Sequence, residues 1–121
     1  MKSIRDYLLD IMEYLSDVQT FTANLDESAF ETDRKTQLAV IRAFEVIGEI
    51  VKRVPQDLLD TQPSVDWRAI KGFRDILIHQ YDNIDLAIVW DAVGRVSEVK
   101  TAVDALLAAL PPTDDESDDT P

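Results

Sequence analysis

One stretch in the second half of the chain gathers residues that could do acid–base and phosphate chemistry. Arg74, Asp75, His79 and Tyr81 fall within eight residues, and His79 is the only histidine. An arginine offers a planar, permanently charged fork that matches a phosphate, and a histidine can accept and return a proton near neutral pH. Together they could cleave RNA through its own 2′-hydroxyl, with His79 moving protons and Arg74 stabilising charge on the phosphate.

The spacing of Arg74 and His79 places a condition on the fold. Five positions apart on an ideal helix, two side chains point roughly 140° away from each other. They can converge if the helix ends or loosens before His79. They can also converge if two copies of the chain share one site.

A structural interpretation of the same residues stays open. A single histidine near a helix end is usually a structural or surface residue. Arg74 and Asp75 could form a simple surface ion pair, and Tyr81 could pack with its hydroxyl in water. On residue type alone, this structural interpretation is the more common one.

The sequence has no pattern typical of a metal site. It contains no cysteine, and neither His-Glu-x-x-His nor Glu-x-x-His occurs. Metal-dependent nucleases need clustered carboxylates, often around two ions. We therefore expect a metal-independent site and no cofactor.

Apolar residues recur at helical spacing in four long stretches, which predicts an all-α fold, an up-down four-helix bundle. The predicted helices cover about 3–22, 32–54, 64–79 and 83–110. Ser3 is a suitable N-cap for the first helix, and Pro55 should stop the second. The third helix should loosen near 79–83, and the fourth should continue unbroken to Leu110.

Gly48 lies inside the second predicted helix. An internal glycine costs up to about 1 kcal/mol relative to alanine, so we expect another backbone to approach closely at this position. We assign the neighbouring Glu49 to packing rather than to catalysis.

Charge is distributed unevenly along the 121 residues. The net charge of −12 argues at first against nucleic acid as a partner. Residues 34–74, however, hold eight basic and five acidic residues, a net charge of +3, whereas residues 111–121 hold five acids and no base. We expect residues 1–110 to fold as one domain and residues 111–121 to form a disordered acidic tail.

No segment is typical of secretion or of membrane insertion. Asp6 and Asp10 interrupt the apolar stretch near the N-terminus, and no run approaches the roughly 20 apolar residues of a membrane span. We expect a cytoplasmic protein that binds neither membranes nor DNA.

The Arg-x4-His-x-Tyr pattern of Arg74, His79 and Tyr81 resembles the signature of HepT-like proteins in the HEPN superfamily. The resemblance covers about residues 3–110, and Phe73 stands where many such proteins have an aliphatic residue or methionine. The flanking positions that also match are Trp67, Ile70, Gly72, Ile47, Gly48, Glu49, Asp85 and Trp90.

This resemblance implies a function that composition could not show. HepT-like proteins are helical bundles that form homodimers, and toxins of this type are metal-independent ribonucleases in which two chains line one cleft. The matching catalytic residues here are Arg74, Asp75 and His79. The partner is typically a minimal nucleotidyltransferase antitoxin that transfers AMP to the motif tyrosine, Tyr81 here, where added negative charge would repel RNA.

Two other functions stay open. The chain could be a non-enzymatic, dimeric helical subunit that binds a nucleotidyltransferase partner, which its acidic charge mildly favours. It could also be a structural dimer whose motif has lost its activity.

Overall fold

The computed structural model describes residues 2–112, which are all-helical and form no β-strand. None of their helices is both long and apolar enough to cross a bilayer. The predicted all-α fold is confirmed, while most of the predicted disordered tail, residues 113–121, lies outside the described residues. The helices are α1 (Ile4–Thr22), α2 (Glu27–Glu31), α3 (Arg34–Val51), α4 (Gln56–Leu59), α5 (Trp67–His79), α6 (Leu86–Gly94) and α7 (Val96–Ala109).

Helices α1, α3, α5 and the pair α6–α7 are the four arms of the bundle, with α3 packed between α1 and α5. The expected cap of α1 is present as a capping box, in which Ser3 and Asp6 each bond the other's backbone N–H. Buried residues then recur every three or four positions from Leu8 to Val18, which turns one face of α1 to the core.

Helix α3 ends at Val51, earlier than the predicted stop at Pro55. Its N-cap Asp33 accepts a hydrogen bond from the Thr36 backbone N–H at 3.0 Å. At the other end, the backbone N–H groups of Arg53 and Val54 bond three residues back rather than four. The last residues before Pro55 therefore tighten into turns, as is common where a helix terminates.

The predicted continuous helix over 83–110 is wrong, because the chain breaks at Arg95 into α6 and α7. Gly94 directly precedes the break, and glycine is a poor helix former. The break lets α6 pack on α2, where the rings of Phe30 and Trp90 lie 5.2 Å apart. It also lets α7 pack along α1.

Helix α5 has α3 as its main neighbour, and the rings of Phe44 and Phe73 join the two helices at 5.6 Å. An open groove of about 670 Å³ separates α5 from α6 and α7. Ile76 and Ile88 line this apolar groove and are 48% and 55% exposed. Within the described chain, α5 therefore carries an apolar face that α3 does not cover.

Candidate active site

The start of α5 is set by two local contacts. The Asp66 carboxylate accepts a hydrogen bond from the Ala69 backbone N–H at 3.0 Å, which caps the helix. The Trp67 indole is buried and donates to the Gln62 carbonyl at 3.0 Å. From this anchor the helix runs without a break to His79, so Arg74 and Asp75 lie in its interior and Tyr81 lies beyond its end.

Arg74 packs directly against Gly48 of α3. A Cβ atom built on Gly48 would stand 2.3 Å from the Arg74 Cβ and 3.2 Å from the Ile70 carbonyl oxygen. Real Cβ atoms essentially never approach other atoms so closely, so only glycine fits here. The close approach expected at Gly48 is confirmed, and the stem of Arg74 occupies the space that the glycine leaves.

The Arg74 guanidinium is held by carboxylates from two helices. Its Nη2 lies 3.1 Å from Glu49 Oε2 on α3, and its Nη1 lies 3.0 Å from Asp75 Oδ1 on α5. The same Asp75 oxygen accepts from Lys52 Nζ at 2.9 Å, and Arg53 Nη2 lies 3.9 Å from Glu49. Because the Arg74 side chain is only 24% exposed, these contacts restrict its orientation.

Asp75 is placed to support Arg74 as a charged group. Its hydrogen bonds from Lys52 and then from Arg74 lower the pKa of the carboxyl below its usual value. The side chain therefore stays ionised at neutral pH and accepts hydrogen bonds. This arrangement suits a residue that orients the arginine and does not suit a proton donor.

His79 is the last residue of α5, and its side chain is exposed. The predicted loosening of the chain does occur, but it begins at Gln80, after His79 rather than before it. Arg74 and His79 thus share one continuous helix, and five positions still separate their directions by roughly 140°. We therefore expect no contact between the two side chains within a single chain.

Tyr81 lies in the turn between α5 and α6 and is 79% exposed. It lines a pocket against the N-terminal half of α3, beside Arg34 and Arg42. Arg74 instead contacts Gly48 and Glu49, near the other end of α3. The structure thus places Tyr81 and Arg74 at different positions along the same neighbouring helix.

Four basic side chains on α3, α5 and the turn after α3 lie in three different surroundings. Lys52 and Arg53 belong to the charge network around Arg74. Lys71 donates to the Gln56 side chain at 3.0 Å. Arg42 instead pairs with Glu45 at 3.3 Å and lines the pocket beside Tyr81.

Glu49 is the site residue that the sequence interpretation missed, because it was assigned to packing. Glu49 contacts Arg74 through an ion pair that joins residues 25 positions apart. The one feature of the sequence that could have indicated this contact is that Glu49 follows Gly48, where a close approach of another backbone was expected. Among residues 2–112, no group of three or more histidine, aspartate or glutamate side chains could hold a metal ion.

A helical bundle in which an Arg-x4-His-x-Tyr segment spans the end of one long helix, with Arg74 and His79 on the helix and Tyr81 just beyond it, is typical of the HEPN class. The family model described as "Ribonuclease HepT-like" matches residues 11–106. This match spans well over half of the chain, and the chain therefore belongs to the HepT-like ribonuclease family.

Curated relatives agree with this family. "Putative RNase MJ0127" of Methanocaldococcus jannaschii is 45% identical over 92 residues, 76% of each chain. "Putative RNase MJ1216" of the same organism is 34% identical over 117 residues, which cover 96% of this chain and 97% of the relative. "Probable ribonuclease HepT" of Thermococcus cleftensis is 41% identical over 92 residues, 76% of this chain and 84% of the relative. No solved structure matches this chain significantly.

Proposed function

We propose that the protein is a metal-independent RNA endonuclease and the toxin of a toxin–antitoxin pair. One observation carries the proposal: the Arg74 guanidinium is held by two carboxylates, on the same helix as an exposed His79. The family match and the names of the relatives support RNA as the substrate.

The chemistry uses the RNA itself as the nucleophile. The 2′-hydroxyl oxygen attacks the adjacent phosphorus, the bond from phosphorus to the 5′-oxygen breaks, and a cyclic phosphate and a 5′-hydroxyl result. His79 takes the 2′-hydroxyl proton or supplies a proton to the leaving oxygen. Arg74 stabilises the charge that grows on the phosphate oxygens. Asp75 keeps Arg74 oriented through their contact at 3.0 Å.

We further propose that two copies of the chain build each site. Arg74 and His79 diverge on one continuous α5, so a second copy must supply the missing group. The apolar face of α5 that includes Phe73 and Ile76 lines an open groove. A symmetric dimer that covers this groove would bring the two α5 helices together, as a site shared between two copies requires.

Mixing two inactive variants tests the shared site. Arg74→Ala and His79→Ala should each abolish metal-free cleavage of RNA. If two chains share the site, subunit exchange between the variants should restore up to about a quarter of wild-type activity, because half of the dimers regain one intact site. A mixture that exchanges subunits and stays inactive would contradict the shared site.

RNA cleavage and RNA binding by the wild-type protein distinguish this proposal from the non-enzymatic alternative. A chain that acts only as a binding subunit should neither cleave RNA nor bind it, even at low salt, where phosphate contacts are strongest. Unchanged cleavage in either single variant would instead overturn the roles given to Arg74 and His79.

The proposed antitoxin is a nucleotidyltransferase that modifies Tyr81. The Tyr81 hydroxyl oxygen attacks the α-phosphorus of ATP, the bond to the β-phosphate breaks, pyrophosphate leaves and the hydroxyl proton passes to a base. The 79% exposure of Tyr81 supports this role, because a transferase must reach the ring. The attached group adds bulk and negative charge two residues beyond His79.

Intact mass after co-expression with the neighbouring gene tests the modification. We expect a gain of one or more AMP units in the wild type, mapped to Tyr81, and no gain in Tyr81→Phe. Tyr14→Phe serves as a control because Tyr14 is partly buried on α1. AMP that still attaches after Tyr81→Phe would rule out this tyrosine as the target.

A further inference from the structure

The pocket beside Tyr81 has the size and the mixed chemistry of a small-ligand site. It measures about 520 Å³, within the range of roughly 300–1,000 Å³ that is common for such sites. The N-terminal half of α3 forms one wall, and the segment from Leu77 to Leu86 forms the other. The pocket is separate from the groove between α5 and α6–α7.

Its apolar lining suits a flat, aromatic group. Leu38, which is 52% exposed, and the Tyr81 ring both line the pocket. The Asn83 amide, which can pair with the edge of a base, also lines the pocket. Gln37 is buried there, and its Nε2 donates to the Phe30 carbonyl at 2.9 Å. The other apolar lining residues are Ile41, Leu77, Ile84 and Leu86.

The pocket is lined by two arginines, and only one of them can pair with a phosphate without breaking an existing ion pair. Arg42 pairs with Glu45 at 3.3 Å. Within residues 2–112, the exposed Arg34 side chain makes no ion pair or hydrogen bond. Arg34 is also the first residue of α3, where the helix dipole favours an anion. The carboxylate of Asp82 faces the same pocket and could accept from ribose hydroxyls or a base amine.

We propose that this pocket binds the adenylyl group carried by Tyr81. The purine lies against the apolar lining around Leu38, and Arg34 pairs with the phosphate. A phosphodiester between tyrosine and adenosine carries one negative charge, which matches Arg34, the pocket-lining cation that makes no ion pair within residues 2–112. The proposal rests on the proposed function for the attachment of AMP to Tyr81.

Tethering makes weak intrinsic affinity sufficient. A group attached to Tyr81 experiences an effective concentration in the millimolar range or above, so a site with a millimolar dissociation constant would be well occupied. The modified tyrosine would then fold back onto its own chain. Because it lies two residues after His79, it would hold negative charge beside the end of α5, where RNA must approach.

Free AMP and the unmodified protein provide a direct test. We expect AMP to shift the backbone amide resonances of residues 34–45 and 81–86, with a dissociation constant on the order of millimolar. Arg34→Ala should weaken binding at least about threefold, the loss of a modest charge-assisted contact. Arg68→Ala is the matched control, because Arg68 is an exposed arginine on α5 that does not line the pocket. Adenosine, which lacks the phosphate, should bind wild type and Arg34→Ala equally.

Three results would overturn the assignment. One is the absence of shifts in these segments at about 10 mM AMP, well above the expected dissociation constant. Another is equal weakening by both arginine variants. A third is a short RNA that binds the same segments more tightly than AMP, which would make the pocket a substrate site.

The experiment is independent of the modification itself. AMP binding without any adenylylation on co-expression would contradict the proposed role of Tyr81 and leave the pocket as a nucleotide site. Adenylylation of Tyr81 without AMP binding to the pocket would contradict only the inference made here.

Discussion

The contacts of Arg74 explain how one side chain can be ready for a phosphate before RNA arrives. Glu49 and Asp75 each take one terminal nitrogen of the guanidinium. Gly48 leaves room for its stem. A preorganised donor needs no reorganisation in the transition state, which is the main source of electrostatic catalysis.

Gly48→Ala tests the close approach of the two helices. Alanine gains helix propensity worth about 1 kcal/mol, but its Cβ would meet the Arg74 Cβ at 2.3 Å. We expect a net loss of about 1–3 kcal/mol, the usual cost of overpacking, together with reduced RNA cleavage. Urea denaturation measures the loss of stability, and an RNA cleavage assay measures the loss of activity.

Gly94→Ala is the control for that substitution, because a Cβ there meets no atom within 4 Å. It should leave stability unchanged or slightly raised. Gly48→Ala with wild-type stability and cleavage would show that α3 can move away from Arg74 at little cost.

Glu49→Gln tests Glu49 as a positioning residue. Glutamine keeps the size of the side chain and loses the charge that faces Arg74 Nη2 at 3.1 Å. We expect a loss in cleavage rate of up to about tenfold with KM little changed, because an exposed ion pair is partly screened. Glu13→Gln, an exposed carboxylate on α1 that lines neither the groove nor the pocket beside Tyr81, should have no effect. A rise in KM at constant kcat would point to RNA binding instead.

Asp75 should make a contribution to stability that disappears in acid. Its folded-state pKa is lowered from the ordinary 3.8, so the unfolded chain binds more protons in this range and stability rises with pH. The contribution is complete above about pH 5 and is lost as pH falls through the lowered value. The difference in Tm between wild type and Asp75→Asn should therefore shrink below pH 3.8. A difference that stays constant down to the lowest pH would contradict the coupling to Lys52 and Arg74.

At the scale of elements, α5 carries the proposed catalytic residues, and α3 contributes Glu49 as a contact of Arg74. Helix α5 begins where it does because Asp66 caps its first turn and the side chain of Trp67 is buried. The unbroken run to His79 determines that Arg74 and His79 face different directions. Arg74 and His79 are therefore close in sequence but point in different directions from the helix.

Asp66→Ala tests the start of α5. Loss of an N-cap side chain typically costs about 1 kcal/mol, whereas asparagine is nearly as good a cap as aspartate. We expect Asp66→Ala to lower the free energy of unfolding by about that amount and Asp66→Asn to restore most of it, both measured in urea. Equal losses in both variants would mean that the charge, and not the hydrogen bond to Ala69, matters.

At the scale of the whole molecule, the open groove beside α5 is an apolar surface that no part of the described chain covers. Ile76 and Ile88 are about half exposed on its two walls. Exposed apolar surface rimmed by polar groups often marks an interface. The proposed dimer would cover this surface and bring the two α5 helices together.

Ile76→Asp tests that interface. A charge placed in a buried apolar contact should dissociate the dimer, and cleavage should be lost with it. Leu9→Asp is the control, because Leu9 is 50% exposed on α1 and does not line the groove. Molar mass by light scattering and RNA cleavage are measured for both. A monomeric and fully active Ile76→Asp variant would exclude the shared site.

Much of the fold was predictable because its signals are local. The start of α1 at Ser3 and the turn after His79 follow from caps and from the spacing of apolar residues. The break at Arg95 was missed because apolar residues keep their period through it. Two separate helices allow α6 to pack on α2 and α7 to pack on α1. These contacts are tertiary, so the local apolar pattern does not reveal the break.

The sequence by itself determined the all-α class, most helix starts, the family and the segment from Arg74 to Tyr81, because short-range patterns and residue types carry this information. The tertiary structure alone decided which carboxylate holds Arg74 and which pocket Tyr81 lines. Glu49 reaches Arg74 across 25 positions, and Arg34 and Tyr81 are brought together across 47. Such contacts depend on how α3 and α5 align along each other, and the side chains of both helices set that alignment together.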